Sequence, residues 1–299
     1  MNRGRTKELL LILLILIILS SILLYDALQT RQPHAVQPKE ERILVVSTFP
    51  GVSDDIRLLT RGCDTIKVVP LAPPGSDPHH YSLRPGDVKL LDNASLVVST
   101  GHAPFEKSIA KYVPQDKLVV IPEIPGIRIL RLPTGAVNLH MPIYDPRNYA
   151  VFMNYIAGKL ETLDPNCSNI INKNKNYIFR NISILEKYTN IMNGTLAVAS
   201  SPLAEYPASW LGINITVYLS LQPGASAIPP DVISRAEETL KNNGLAIIIV
   251  DQEGAPVGQV DKSLEALALK YNAKILKIPA PYLPEPTLDK LETIASQVK

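Results

Sequence analysis

The sequence has few cysteines and no strong charge of either sign. Of its 299 residues two are cysteine, and 30 Lys and Arg against 28 Asp and Glu give a formal net charge of +2. No block of Lys or Arg occurs after residue 7, so the charge pattern indicates neither a nucleic-acid partner nor an extended anionic one. The 46% hydrophobic composition allows a sizeable core, in one large domain or in two of ordinary size.

The sequence also lacks the motifs of several common enzyme classes. It contains no nucleophile elbow, no glycine-rich loop of the phosphate-binding type and no His-Glu-x-x-His pair. Two histidines with a carboxylate could still activate a water on zinc. Without any of these motifs, however, we expect a binding protein rather than an enzyme.

The N-terminus is the one long apolar segment. Arg3, Arg5 and Lys7 precede an almost unbroken apolar run from Leu9 to Tyr25, which as a helix would be roughly 25 Å long, near the lower limit for a bilayer span. We predict that residues 1–25 anchor the chain in the cell membrane as a single pass, with the N-terminus inside and the globular part extracellular. A cleaved signal is the alternative, although the run is followed by no small-x-small pattern and no cysteine that could accept a lipid.

The two cysteines, Cys63 and Cys167, lie outside this apolar segment. A disulfide could therefore form between them if the globular part is extracellular. Their positions in the sequence do not say whether they meet, so a bridge and two buried free thiols both remain open.

After a polar linker at residues 26–41, short apolar runs alternate with helical patterns. Runs such as TIKVVPLAP, SLVVSTG and LAIIIVD are typical of parallel strands that are covered on both faces. One stretch, residues 145–188, is almost entirely helical, and its first long helix, DPRNYAVFMNYIAGKLETLD, begins at the N-cap and proline pair Asp145-Pro146. We predict an α/β fold with two parallel-sheet α/β lobes, residues 42–145 and 191–299. A long linker helix in a helical connector, residues 146–190, joins the lobes, and an N-terminal transmembrane helix precedes them.

Histidine is the residue type that indicates a site. His79 and His80 follow the apolar run TIKVVPLAP, and His140 precedes the connector. Loops at the carboxyl ends of parallel strands are where open α/β sheets bind ligands, and imidazole binds zinc and related ions. Spacing alone leaves two alternatives, a metal site between the lobes and solvated loop histidines.

Two segments resemble the zinc- and manganese-binding solute-binding proteins of ABC transporters. PGSDPHHYSLRPGDVKLLDNASLVVSTGHAPFE is similar to the first histidine motif of that family, and HMPIYDPRNYAVFMNYIAGKLETLDPNC resembles the second motif with its linker helix. The resemblance continues, more faintly, to the end of the chain. It implies two metal ligands, His79 and His140, and three further motif positions, Asp77, Tyr81 and Glu106.

The resemblance is incomplete where the family places its other ligands. Ser201 stands at the position of the third ligand, usually His or Glu, and serine is a poor ligand for zinc. The acidic fourth ligand has no match near the last strand, and the histidine-rich insertion of some zinc-specific members is absent. We predict Asp251, at the end of the run LAIIIVD, as the third ligand, although an acid there could instead cap a turn. His102 stands after a third strand and could face the same cleft between the lobes, although we expect a surface loop histidine. The other residues that could complete the site are Glu253, Glu205, Glu285 and His80.

The resemblance implies a membrane-tethered solute-binding protein that captures a divalent metal ion, zinc or manganese, outside the cell and delivers it to an ABC permease. We expect a monomer with no nucleic-acid partner. The alternative is the same fold with the metal site lost, serving as a receptor for another small ligand or as a surface interaction protein. The metal prediction depends on His79, His140 and Asp251.

Overall fold

The computed structural model describes residues 13–25, 42–76, 79–221 and 227–299. Residues 13–25 form a helix, α1, with exposed apolar side chains; they belong to the unit Met1–Glu41, and Arg42–Lys299 form a second, compact unit. In the part of the chain that the structure describes, no helix combines the length and apolar character needed to cross a membrane. Residues 1–12 of the predicted anchor and the predicted linker lie outside the described residues.

The first lobe contains a four-stranded parallel sheet in the order β2-β1-β3-β4. Its strands are continuous apolar runs because both faces are covered, and all four residues of β3 are buried. The strands are β1 (Ile43–Ser47), β2 (Ile66–Pro70), β3 (Leu96–Ser99) and β4 (Leu118–Val120), and the helices are α2 (Pro50–Thr60) and α3 (Pro85–Asp92).

The second lobe repeats this arrangement with a four-stranded parallel sheet in the order β6-β5-β7-β8. The strands are β5 (Leu196–Ala199), β6 (Asn214–Tyr218), β7 (Leu245–Val250) and β8 (Ile275–Pro279). The helices are α6 (Glu205–Leu211), α7 (Pro230–Lys241), α8 (Gln259–Lys270) and α9 (Thr287–Ser296). The prediction of two parallel-sheet α/β lobes is therefore confirmed.

The connector begins with the predicted long linker helix, which a second helix follows. These are α4 (Pro146–Leu163) and α5 (Ser168–Leu185), which pack against each other. The predicted N-cap is present, since the Asp145 carboxylate accepts hydrogen bonds from the first backbone amides of α4. The break between the helices comes at Asp164-Pro165, because a residue before proline avoids the helical conformation and Asp164 caps the turn that follows.

The lobes and the connector share one apolar core. Buried side chains from both sheets pack in a single cluster with α2, α4, α5 and α9, for example Val45, Phe152, Ile178, Ile247 and Leu291. The lobes are thus joined by packing as well as by the chain. The arrangement leaves the carboxyl ends of β1 and β3 at the point where the strand order of the first sheet reverses, which is where such sheets bind ligands.

A disulfide also ties the first lobe to the connector. Cys63, just after α2, is bonded to Cys167 in the turn between α4 and α5, with their Cα atoms 5.9 Å apart. The bridge decides between the two alternatives that the sequence left open for these cysteines.

Candidate metal centre

The loop that carries His79 is fixed at its downstream end by Tyr81. The Tyr81 hydroxyl lies 2.7 Å from Asp87 Oδ2 and 3.0 Å from the carbonyl oxygen of Leu71, at the end of β2. Burial, and then the Asp87 carboxylate, raise the pKa of Tyr81 to about 12. Tyr81 therefore holds the loop between β2 and α3. Asp77, the other loop position implied by the family resemblance, lies outside the described residues.

The loop that carries His102 follows β3 and is held by one buried carboxylate, that of Glu106. Its two oxygens accept five hydrogen bonds of 2.7 to 3.0 Å, from the hydroxyl groups of Ser99 and Thr100 and from the backbone amides of Thr100, His102 and Ala103. Glu106 thus takes the position that the resemblance implies. Its contacts are those of a residue that shapes the loop.

His140 is oriented by Asn138, which is fully buried. The Asn138 Oδ1 atom lies 2.8 Å from His140 Nδ1 and accepts a hydrogen bond of 2.9 Å from the His140 backbone amide. Its Nδ2 donates to the carbonyl oxygen of Pro202 at 3.0 Å, next to Ser201 in the second lobe. Because an amide oxygen only accepts, His140 Nδ1 carries the proton and Nε2 keeps the lone pair that a metal needs.

The three histidine side chains meet at His102. Its ring lies 5.6 Å from that of His79, edge to face, and 3.9 Å from that of His140, measured between centroids. Of the two positions that the sequence left open for His102, the favoured one, a surface loop, is wrong, since His102 is half-buried between the two motif histidines. A single histidine after a strand has no diagnostic spacing. The feature that places His102 near His79 is that β2 and β3 end at the same edge of one parallel sheet.

Burial keeps two of these imidazoles neutral. It lowers the pKa of His140 to about 3, with further lowering by His102 and His79. Burial also lowers the pKa of His102, followed by the effect of His79, while Glu106 acts in the opposite direction. Neutral imidazole is the form that binds metal ions, so both rings are in the required state near neutral pH.

The rings are close but not yet arranged around an ion. Among the described residues, no group of three or more His, Cys, Asp or Glu side chains is placed to hold a metal ion as it stands. Two imidazoles that share a tetrahedral zinc with bonds of about 2.0–2.1 Å have centroids about 5 Å apart. The centroid distance between His102 and His140 is shorter than this, and that between His79 and His102 is slightly longer. The side chains must therefore adjust before the three rings can bind one ion.

The predicted third ligand, Asp251, lies in a turn after β7. Its Oδ1 atom accepts hydrogen bonds of 2.9 Å from the backbone amides of Glu253 and Ala255, which is the capping role that the sequence left open. Asp251 as a ligand stays a prediction. The Ser201 hydroxyl, at the family's third position, is buried without a hydrogen-bond partner among the described residues.

The other residues named as candidates to complete the site lie in different elements or loops. Glu205 is half-buried at the start of α6, where burial raises the pKa of its carboxyl group. The backbone amide of Glu285 donates to Asp54 of α2. His80 is exposed beside His79.

Comparison with known proteins gives matches along most of the chain. The family model described as zinc-uptake complex component A, periplasmic, matches residues 45–295. The high-affinity zinc uptake system protein ZnuA of Haemophilus ducreyi is 40% identical over 75 residues, which are 24% of this chain and 23% of that protein. The matched stretch thus spans about a quarter of the length of this curated relative.

Solved structures resemble the chain over a greater length. The SBP FpvC from Pseudomonas aeruginosa in complex with Mn2+ has a TM-score of 0.65 at 18% identity, over 86% of this chain and 98% of that one. The Cd-bound periplasmic metal binding protein from Candidatus Liberibacter asiaticus has a TM-score of 0.64 at 20% identity, with the same coverage. At these identities the likeness establishes the fold. Because the family model covers most of the sequence, the chain belongs to the family of the periplasmic component A of zinc-uptake complexes.

Proposed function

We propose that the protein is an extracytoplasmic solute-binding protein that captures a divalent metal ion, zinc or manganese, and delivers it to an ABC permease. One observation carries this proposal: His79 and His140, which lie 61 residues apart in two separate motifs, both pack against the same ring, that of His102. Family membership supports the transport role. The proposed role is binding rather than catalysis, in a monomer.

The proposed ligands from the motifs are His79 and His140, with the lone pair of His140 Nε2 left available by the contact with Asn138. Asp251 is the acidic ligand predicted from the sequence. Since one of its oxygens already accepts two amide hydrogen bonds, it could bind through Oδ2 alone. Replacement of Asp251 by Asn keeps the size of the side chain and tests its contribution directly.

We further propose that residues 1–25 tether the protein to the membrane, with the N-terminus inside the cell. The basic residues before the apolar run support this orientation. The disulfide between Cys63 and Cys167 fits a location outside the cytoplasm, because disulfides persist in oxidising compartments. Membrane fractionation with an intact-mass measurement tests the tether: a membrane fraction of full mass supports it, and a soluble product that lacks residues 1–25 indicates the cleaved signal.

Calorimetric titration of the full chain with zinc and with manganese tests metal capture. We expect one ion per chain, and loss of binding in His79→Ala and in His140→Ala. His80→Ala is the matched control, because it removes a neighbouring imidazole whose side chain is exposed. No binding by the wild-type protein would favour the alternative, a receptor of the same fold without a metal site, for which the serine at position 201 is the supporting observation.

A further inference from the structure

We infer that His102 is a metal ligand that replaces the one missing at Ser201, so that the site consists of three imidazoles and selects zinc over manganese. The inference rests on the proposed metal-binding function and specifies its ligands and its ion. If the inference is right, the third ligand comes from the first lobe, which carries His102, and not from the second lobe.

The first argument is position. The His102 ring contacts both motif histidines, with centroid distances of 5.6 Å to His79 and 3.9 Å to His140. An ion bound by His79 and His140 would therefore lie next to His102. The loop after β3 also starts at the point where the strand order of the first sheet reverses, the usual place for a ligand in such a sheet.

The second argument is an unsatisfied atom. His102 Nε2 is buried and has no hydrogen-bond partner among the described residues. Buried polar side-chain atoms are normally hydrogen-bonded, and an exception requires an explanation. A bound cation would satisfy a neutral imidazole nitrogen in this position.

The third argument is that the His102 loop is rigid. The Glu106 carboxylate binds the His102 amide and its neighbours. Gly101 adopts φ +72°, and a Cβ atom on it would come within 2.6 Å of the Val120 side chain, so the turn depends on glycine. The backbone that presents His102 is therefore fixed, and the adjustment to an ion falls on the side chains of the cluster.

The donor set decides which ion is bound. Three neutral nitrogen ligands and one open position are a common arrangement for zinc. Manganese prefers carboxylate, carbonyl and water oxygens. With serine at position 201 and with His102 in place of Asp251 as the third ligand, the set of three imidazoles holds no carboxylate, and the resulting preference is for zinc.

The test is a titration of the full chain with zinc and with manganese, on wild type and on His102→Ala. We expect wild type to bind zinc at least about tenfold more tightly than manganese, and His102→Ala to lose at least about tenfold in zinc affinity. His80→Ala should bind zinc like wild type. A second variant, His102→Asp, replaces the nitrogen by an oxygen donor and should reduce the preference for zinc over manganese.

The outcomes separate this inference from the proposed function. If His79→Ala loses zinc while His102→Ala binds it like wild type, the third ligand is not His102 and this inference fails alone. Tighter binding of manganese than of zinc by wild type also overturns it. Absence of both metals in wild type overturns the proposed function as well. Thermal unfolding of metal-free His102→Ala, compared with metal-free wild type, shows whether a lost affinity reflects a lost ligand or a lost fold.

Discussion

Two residues that are not proposed as metal ligands hold the candidate site in place. Glu106 fixes the loop of His102, and Asn138 fixes the ring of His140 and connects it to Pro202. At this scale the sequence predicted His79 and His140 through their motifs. It allowed His102 a position facing the same cleft only as the less favoured alternative, because the role of His102 comes from the meeting of three loops. A single residue in a loop carries no periodicity from which such a meeting could be inferred.

Glu106→Gln should lower the stability of the first lobe. The substitution puts an NH2 group where an oxygen accepts N–H and O–H donors, and leaving buried donors unpaired costs about 1–3 kcal/mol or more. Thermal unfolding should show a midpoint several degrees lower, while zinc affinity falls as well because the His102 backbone loses its support. An unchanged midpoint would show that Glu106 does not hold the loop; Glu186→Gln, at an exposed position, is the control.

Asn138→Ala should weaken zinc binding without removing a ligand. The His140 ring loses the acceptor that fixes its tautomer and orientation, and loss of such a partner typically costs roughly 10–100-fold in metal affinity. Calorimetric titration measures the effect. Asn169→Ala, at an exposed position of α5, is the control, and equal zinc affinity of wild type and Asn138→Ala would contradict the role given to Asn138.

At the scale of elements, the alternation of strands and helices could be predicted because each apolar run has the period of the element that it forms. The end of α4 could be predicted as well, because the stretch DPRNYAVFMNYIAGKLETLD stops at Asp164-Pro165. Contacts between elements distant in the sequence, such as α2 with α9, leave no trace in a single sequence.

Asp55 of α2, which is fully buried, makes one of the contacts between α2 and α9. Its carboxylate accepts hydrogen bonds from the amide and the hydroxyl of Thr287, at the start of α9, and from the Tyr149 hydroxyl. Burial raises the pKa of Asp55 to about 7, from an ordinary value of 3.8, although these hydrogen bonds and the charge of Lys290 lower it. Burial likewise lowers the pKa of Lys290 to about 8.

These shifts predict a pH dependence of stability. A carboxyl group with a raised pKa in the folded state binds a proton more readily there, so its contribution is fully present below about pH 4 and is lost as the pH rises through about 7. The free energy of unfolding of wild type, relative to that of Asp55→Asn, should therefore decrease from pH 5 to pH 7.5. Denaturant unfolding at both values measures it. If the difference in unfolding free energy between wild type and Asp55→Asn stays constant or grows with pH, Asp55 is not protonated in the folded state. Asp92→Asn, at an exposed position, is the control.

At the scale of the molecule, the fold could be predicted with its two lobes, but their common core and the disulfide could not. Both depend on residues far apart in the chain, and the bridge from Cys63 to Cys167 has a sequence separation of 104. Length and spacing do not place such residues next to each other. The alternation of strand and helix patterns predicted the two lobes, and the packing of the connector against α2 determines that the two cysteines meet.

Removal of the bridge should lower the global stability. Closing a loop of this length restricts the unfolded chain, and loss of a native disulfide typically costs about 2–5 kcal/mol. Cys63→Ser with Cys167→Ser should therefore unfold at a clearly lower temperature than wild type. A reductant should lower the midpoint of wild type and leave that of the double variant unchanged. Free thiols in the oxidised wild-type protein, counted by mass spectrometry after alkylation, would contradict the bridge.

The central claim is that one divalent ion is bound by His79, His102 and His140. The most direct test is a crystal structure of the zinc-loaded full chain, with an anomalous difference map recorded at the zinc absorption edge. The account predicts a single strong peak about 2.0–2.1 Å from one nitrogen of each of these three imidazoles. No peak at this position, or a peak whose ligands do not include His102, would contradict it.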